Sequence, residues 1–220
     1  MSLINHKNDM IISSYLLKYQ THIGNKKAFR KSQLDELIYG INRSSTSIFD
    51  VEKTLSLLRR TLNFVSLISK RKGSILFVGT RSDISGLTKN IGEKTFNPYV
   101  HIRWIRGLIT NWENIAISIK FFKLYQNKLK LSKKRSSKLK NTFEGLQNLK
   151  KLPDAIFLID PLFDNDVIHE AKRLNIPLIG IVDNNLKTDL IDYPIIGNTN
   201  SILSLLFFTQ LTIKAILDNS

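Results

Sequence analysis

The chain has no cysteine among its 220 residues. This absence excludes a disulfide framework, a thiolate zinc site and a cysteine nucleophile together. The longest apolar stretch, residues 202–217, is interrupted by Ser, Thr, Gln and Lys, so it predicts a buried terminal helix and no membrane span. The first residues include Asp9 and lack both an apolar signal core and an Arg-rich amphipathic pattern, so they predict neither a secretory signal nor a transit peptide.

Acidic residues are scarce compared with basic ones. The chain has 18 Asp and Glu against 33 Lys and Arg, which gives a net charge of +15. Such an excess repels itself in a compact protein unless a polyanion neutralises it. Nucleic acid is the usual polyanion, because each phosphate contacted releases counterions. A surplus that serves only solubility and an anionic membrane surface are the alternatives, but no strongly amphipathic helix with aromatic anchors supports the membrane.

Four short apolar runs predict strands at 74–79, 99–103, 155–160 and 177–183. Three of them are continuously apolar, which is typical of parallel strands covered on both faces, whereas 99–103 alternates. Helical spacing of Leu and Val predicts a helix over 51–70, with Asp50 as its N-cap.

The alternation of helices and strands predicts an α/β fold with a parallel sheet flanked by helices. We expect residues 1–20 to be an N-terminal extension and residues 21–220 to form a single α/β domain. A basic helical-hairpin protrusion is predicted to be inserted in this domain at 112–151. The hairpin has Leu residues along a narrow seam, and Glu144 is the one acid in the sequence between 120 and 151. A solvated helical face is the alternative reading of this charge run.

The sequence has few residues suited to catalysis. Gly79 and Gly86 follow a predicted strand, but their spacing is neither a dinucleotide fingerprint nor a P-loop. Asp160 and Asp183 end two strands, where Asp also commonly caps helices or closes turns. The histidines show no metal-binding spacing. We therefore predict no enzymatic activity, no cofactor and no metal. The alternative is a doubly wound enzyme or binding domain for a nucleotide or a phosphorylated ligand.

Basic and aromatic residues predict contacts with RNA. A basic N-terminal segment and the Arg103–Trp104–Arg106 group suit phosphate binding, because guanidinium groups bind phosphate bidentately. Trp104 is predicted to pack in the core in preference to stacking on an unpaired base. The predicted RNA-binding residues are Lys26, Lys27, Arg30, Lys31, Arg81, Arg103, Arg106, Lys128, Lys133, Lys134, Arg135, Lys138 and Lys140.

Several short motifs follow one another in a fixed order from about residue 16 to the C-terminus. They are Thr21-His22-Ile23-Gly24, Tyr39-Gly40-Ile41-Asn42-Arg43, Ile75-Leu76-Phe77-Val78-Gly79-Thr80-Arg81, Trp104-Ile105-Arg106-Gly107-Leu108-Ile109-Thr110-Asn111, Leu152-Pro153-Asp154-Ala155, Ile181-Val182-Asp183-Asn184-Asn185 and Asp192-Tyr193-Pro194. As an ordered set, they resemble the bacterial-type family of small-subunit ribosomal protein S2.

The resemblance implies a flavodoxin-like sheet with a coiled-coil protrusion. It also implies a structural constituent of the small ribosomal subunit that supports translation and binds small-subunit rRNA near the junction of head and body. Neighbouring small-subunit proteins are the other expected partners, with no membrane contact, no homo-oligomer and no catalysis.

Two positions depart from the family pattern, since Asn25 replaces the second His of His-x-Gly-His and Arg106 replaces a Gly. The arm between residues 111 and 152 is also shorter than in typical bacterial members. With the Ile-, Lys- and Asn-rich composition, this predicts an organelle-encoded protein of the mitochondrial ribosome, in the matrix. A plastid and the bacterial cytoplasm are the alternatives.

Overall fold

A computed structural model describes residues 6–26, 36–125, 141–185 and 188–219. The helices and strands, in chain order, are α1 His6–Lys18, β1 Ile23–Lys26, β2 Ile38–Ile41, β3 Thr46–Phe49, α2 Val51–Lys70, β4 Ile75–Val78, α3 Ser85–Thr95, β5 Tyr99–Val100, α4 Trp112–Tyr125, β6 Ala155–Leu158, α5 Asn165–Arg173, β7 Leu178–Val182, β8 Tyr193–Ile196 and α6 Ile202–Leu217. A 3-10 helix, Glu144–Leu146, precedes β6.

The centre of the fold is a five-stranded parallel sheet with the order β5-β4-β6-β7-β8. Numbered from its own first strand, this order is 2-1-3-4-5, the flavodoxin-like arrangement. The strand order reverses between β4 and β6, where Phe77 pairs with Phe157. The predicted α/β fold with a flavodoxin-like sheet is therefore confirmed.

Both faces of the sheet are buried, because alternate side chains enter two separate cores. Leu76 and Ile156 enter the core that α4, α5 and the 3-10 helix cover. Phe77 and Phe157 enter the other core, which is covered by α1, α2, α3 and α6. With its faces covered, the sheet leaves only the loops at its two ends accessible to a partner.

Local sequence explains where the long helices begin and end. Asp50 accepts hydrogen bonds from the backbone N–H groups of Glu52 and Lys53, so the predicted N-cap of α2 is confirmed. The predicted terminal helix over residues 202–217 is also present, with Ser201 as its N-cap and Phe208 fully buried.

The first part of the chain is more structured than the sequence indicates. The helix α1 packs on α2, and Leu16 is fully buried in the same core as the α2 side chains. After it, β1, β3 and β2 form a small antiparallel sheet that the hydrophobic pattern does not reveal. Its strands have only four residues each, too few for a clear alternation.

Some predicted elements differ in extent from those observed. The strand predicted at 99–103 is only two residues long, because the chain turns away from the sheet after Val100. The strand β8 was not predicted, since Pro194 interrupts a short run. Of the predicted hairpin, α4 is present, whereas residues 126–140 lie outside the described residues, so the hairpin stays a prediction. Among the described helices, none has the length and apolar character required to cross a membrane.

We predict that Leu16→Ala lowers the free energy of unfolding by about 2–5 kcal/mol, because the truncation leaves a cavity between α1 and the core. Urea denaturation measures the loss. Leu17→Ala is the matched control, since Leu17 is 51% exposed on the same helix. Equal stability of the two variants would show that α1 is not part of the folded domain.

Candidate nucleic-acid interface

We use "carboxyl rim" for the loops that follow the five parallel strands. Four of the predicted RNA-binding residues lie on it. Arg81 follows β4, and Arg103 and Arg106 follow β5. Lys26 ends β1, which is attached to the loop after β7. Three strand spacings separate β5 from β7, so these basic residues extend over about 14 Å along one edge of the sheet.

Arg81 is held by acceptors from three loops. Its Nη1 donates to Asp160 Oδ2 at 2.5 Å, its Nε to Asp83 Oδ1 at 2.7 Å and its Nη2 to the Thr199 carbonyl at 2.9 Å. Burial raises the pKa of the Asp160 carboxyl, while the positive charge of Arg81 opposes the rise. Arg81 therefore links the loops of the carboxyl rim to one another. Only 20% of its side-chain surface is exposed, so it offers little surface to RNA.

Asp164 occupies the position where flavodoxin-like proteins bind their ligands. Its carboxylate accepts hydrogen bonds from Thr80 Oγ1 at 2.6 Å and from the Thr80 N–H at 3.2 Å. Burial raises the pKa of Asp164, and the hydrogen bonds from Thr80 act against this rise. Because β4 and β6 adjoin at the reversal of strand order, these contacts join the two loops across the ligand crevice.

A cavity of about 420 Å³ remains beside this crevice. It is lined by Thr80, Ile102, Arg103, Trp104, Phe163, Asp164, Asn165, Asp166 and Val167. Acidic and basic side chains both reach it, so its charge does not select one class of ligand. In the described part of the chain, no group of three His, Asp or Glu side chains could hold a metal ion.

A buried polar network attaches the small antiparallel sheet to the end of β7. Asp183 Oδ2 accepts hydrogen bonds at 2.7 Å from both Asn25 Nδ2 and Thr199 Oγ1. The Asn25 N–H donates to Asn184 Oδ1 at 2.9 Å, and Asn184 is fully buried. Asp183 therefore acts as a structural acceptor, and the network brings Lys26 to the carboxyl rim.

Glu170 on α5 organises the loop that carries two of the predicted arginines. Its carboxylate accepts hydrogen bonds from Trp104 Nε1 at 3.0 Å and from the Gly107 N–H at 2.8 Å. Longer hydrogen bonds of 3.3–3.4 Å come from the N–H groups of Ile109 and Thr110 and from the Thr110 hydroxyl. Glu170 is only 8% exposed, so little water can reach these donors. The Glu170 carboxylate therefore supplies the hydrogen bonds that water would otherwise make.

Trp104 is a core residue, as predicted, with 9% of its surface exposed. Its neighbours Arg103 and Arg106 point outward. The Arg106 side chain is 86% exposed, and its Nε lies 3.0 Å from Asp166 Oδ2. An exposed pair of this kind contributes at most about 1 kcal/mol, so a phosphate could replace Asp166 at little cost. The loop thus presents two guanidinium groups on a rigid support.

Sequence reasoning missed Glu170, Asp164 and Thr199. Glu170 follows Val167 by three residues and adjoins Ala171, at the margin of the apolar face of α5. An acid at that position signals a buried polar contact.

Most of the predicted RNA-binding residues lie outside the described residues, namely Lys27, Arg30, Lys31, Lys128, Lys133, Lys134, Arg135, Lys138 and Lys140.

Comparison with known proteins shows the family of this chain. The family described as Ribosomal protein S2 matches residues 16–219. The chain belongs to this family. It is 34% identical over 215 residues to small ribosomal subunit protein uS2 of Acinetobacter baylyi, across 92% of this chain and 86% of that protein. The uS2 proteins of Pseudoalteromonas atlantica (30%, covering 92% and 88%) and Buchnera aphidicola (33%, covering 93% and 88%) are also similar.

The structure shows how the fold accommodates the two residues, Asn25 and Arg106, that depart from the family pattern. Asn25 joins the Asp183 and Asn184 network that holds the small sheet. Arg106 precedes Gly107, whose φ of +86° is easily adopted only by glycine. The turn therefore needs glycine at position 107, whereas position 106 is exposed and can carry a charged side chain.

We predict that Glu170→Gln lowers the free energy of unfolding by about 2–4 kcal/mol. The amide places an N–H group against backbone donors and leaves them buried without an acceptor. Urea denaturation measures the loss, and faster hydrogen exchange at residues 104–110 localises it. Glu113→Gln on the exposed side of α4 is the control, and an equally small effect in both variants would contradict the role of Glu170.

Proposed function

We propose that this chain is a structural constituent of the small ribosomal subunit that binds small-subunit rRNA and supports translation. The observation that carries the proposal is the S2 family match over residues 16–219. Relatives at 30–34% identity bear the name small ribosomal subunit protein uS2. We extend that assignment to this chain because the similarity covers more than nine-tenths of it.

The charge of the protein supports RNA as the partner. A net charge of +15 is neutralised when Lys and Arg side chains replace the counterions of a phosphate backbone. On the carboxyl rim, Arg103, Arg106 and Lys26 are the exposed cations proposed to bind phosphate. The basic arm at 112–151 is proposed as a second contact, on the strength of its sequence. Neighbouring small-subunit proteins are the other proposed partners, with the chain as a monomer away from membranes.

We further propose that the chain has no catalytic role. Asp160, Asp164 and Asp183 lie in the loops that follow β6 and β7, where catalytic carboxylates commonly lie, but each accepts hydrogen bonds from donors within the protein. A function in binding a nucleotide or phosphorylated ligand is the alternative, and the 420 Å³ cavity is where such a ligand would bind. Thermal-shift measurements with nucleotides separate the two, since a ligand at a hundredfold excess over its Kd adds about 2.7 kcal/mol of stability.

The compartment proposed for this chain is the mitochondrial ribosome. The Ile-, Lys- and Asn-rich composition and the short arm support it. The relatives found are bacterial, so the bacterial cytoplasm is the alternative. Fractionation of the source cells with an antibody against this chain decides between them, because detection in cytosolic ribosomes alone would exclude the organelle.

We predict that binding to small-subunit rRNA weakens steeply as the salt concentration rises. Dissolved cations then compete with the Lys and Arg side chains for each contacted phosphate. Arg103→Glu combined with Arg106→Glu is expected to weaken binding at least tenfold and to flatten the salt dependence. Filter binding across a range of salt concentrations measures both effects. Lys18→Glu, on an exposed position of α1, is the matched charge control. Salt-independent binding by the unmodified chain would contradict the proposal.

We predict that reversing the charge of Lys133, Lys134 and Arg135 together prevents incorporation into the small subunit. The three adjacent cations lie in the sequence of the basic arm, where no acid nearby offsets them. Sedimentation through a sucrose gradient, with the tagged variant detected in the small-subunit fraction, measures incorporation. A variant that enters the subunit as well as the unmodified chain would remove the arm from the proposed interface.

A further inference from the structure

The opposite end of the sheet carries a second set of exposed cations and, in the same loops, one exposed aromatic ring. We call it the amino rim. Hydrogen bonds hold its loops together: the Ser74 N–H donates to Asp154 Oδ2 at 2.8 Å, and the Ile75 N–H donates to Asn97 Oδ1 at 3.0 Å. The amino rim consists of residues 70–74, 94–98 and 150–154, which lead into β4, β5 and β6.

Phe96 is the aromatic residue of the amino rim, and 83% of its surface is exposed. Its φ of +54° is left-handed, in the position after α3 where glycine is usual and a bulky residue is strained. The Asn97 N–H donates to the Gly92 carbonyl at 3.1 Å, which holds the turn. The fold therefore keeps a phenyl ring in water on a rigid turn, and the ring gains nothing there from burial.

Exposed cations lie in the same hydrogen-bonded loops as this ring. The one acid of the amino rim, Asp154, is already engaged by the Ser74 N–H and by Lys151 Nζ at 2.9 Å. Partial burial opposes these contacts, but they hold the pKa of Asp154 below its ordinary value, so it stays ionised and paired. Glu93 directly precedes the amino rim, and its Oε1 lies 3.8 Å from Lys89 Nζ. The exposed cations of the amino rim are Lys70, Arg71, Lys72, Lys94, Lys150 and Lys151.

We propose that the amino rim binds an unpaired segment of small-subunit rRNA, with one base stacked on Phe96 and the flanking phosphates on these cations. The inference rests on the proposed function and adds a third contact to those of the carboxyl rim and the basic arm, whose last two residues, Lys150 and Lys151, belong to the amino rim as well. Aromatic rings beside basic side chains are typical of single-stranded RNA sites, because every unpaired base offers a face for stacking. A paired helix offers no such face. A protein partner is less suited, since the centres of protein interfaces are poor in charge.

The position of the amino rim gives the proposal a structural consequence. The parallel strands separate it from the carboxyl rim by at least about 13 Å, the length of a four-residue strand. Both faces of the sheet between them are covered by helices. The two rims therefore meet different segments of RNA, and the domain joins those segments across its width.

The test measures binding of the full chain to small-subunit rRNA from the same organism. Phe96→Leu is expected to weaken binding about tenfold, as loss of one base stack does, whereas Phe96→Tyr keeps a ring and native affinity. Phe96→Gly should weaken binding without lowering the thermal midpoint, because glycine adopts the left-handed turn without strain. Lower affinity without a lower thermal midpoint is a result that a purely structural role of Phe96 does not produce.

Charge and location are tested separately. Lys70→Glu with Lys72→Glu is expected to weaken binding several-fold more than the control Lys18→Glu, which reverses an exposed charge at the end of α1. With 4-thiouridine in the RNA, ultraviolet cross-linking should modify the peptide that contains Phe96. Cross-links confined to the carboxyl rim would overturn the inference.

The outcomes separate this inference from the proposed function. Failure of the unmodified chain to bind rRNA would end both. Normal rRNA binding by every amino-rim variant would end the inference alone and leave the proposed function intact. Normal binding by Phe96→Leu, combined with loss of a neighbouring ribosomal protein in assembled subunits, would show that the amino rim docks protein and would also overturn the proposal.

Discussion

Complete burial of the parallel sheet is the constraint on which the rest of the molecule depends. Its three central strands, β4, β6 and β7, are continuously apolar, so helices must cover both faces to remove them from water. Once the faces are covered, backbone loops and polar side chains are accessible mainly at the ends of the strands. A partner that does not unfold the protein therefore meets a rim, the arm or the outer surface of a helix.

The carboxyl rim shows how a ligand-binding fold serves as a scaffold. Its buried carboxylates are each matched to donors from another loop, as in the contact between Arg81 and Asp160 and that between Glu170 and Trp104. A buried carboxylate without such donors would be costly, so the loops can adopt only arrangements that supply them. The rim is consequently rigid, and it presents its outer cations, such as Arg106, in defined positions.

Exposed charge has a different role from buried charge in this protein. The buried acids are paired with internal partners, whereas most of the described cations on the two rims project into solvent. Their mutual repulsion weakens the free fold, and phosphate binding reverses that effect. A chain with such an excess of exposed positive charge is expected to be most stable when bound to RNA, which agrees with membership of a ribosomal protein family.

Sequence alone determined the elements with strong local signals and indicated a class of partner. Continuous apolar runs and the Asp50 cap identified β4, β6, β7 and α2, because burial on both faces and N-capping act over a few neighbouring residues. The charge excess indicated a polyanion, since net charge needs no structure to be read. The ordered motifs identified the S2 family.

Tertiary structure alone decided which polar residues meet. The short antiparallel strands carry little pattern of their own, and their pairing depends on contacts such as that of Asn25 with Asp183, 158 positions apart. Arg81 and Arg106 look alike in sequence, yet one is held by three loops and the other is exposed. Hydrogen bonds of this kind depend on which loops the sheet brings together, and that is set by strand order rather than by any neighbouring residue.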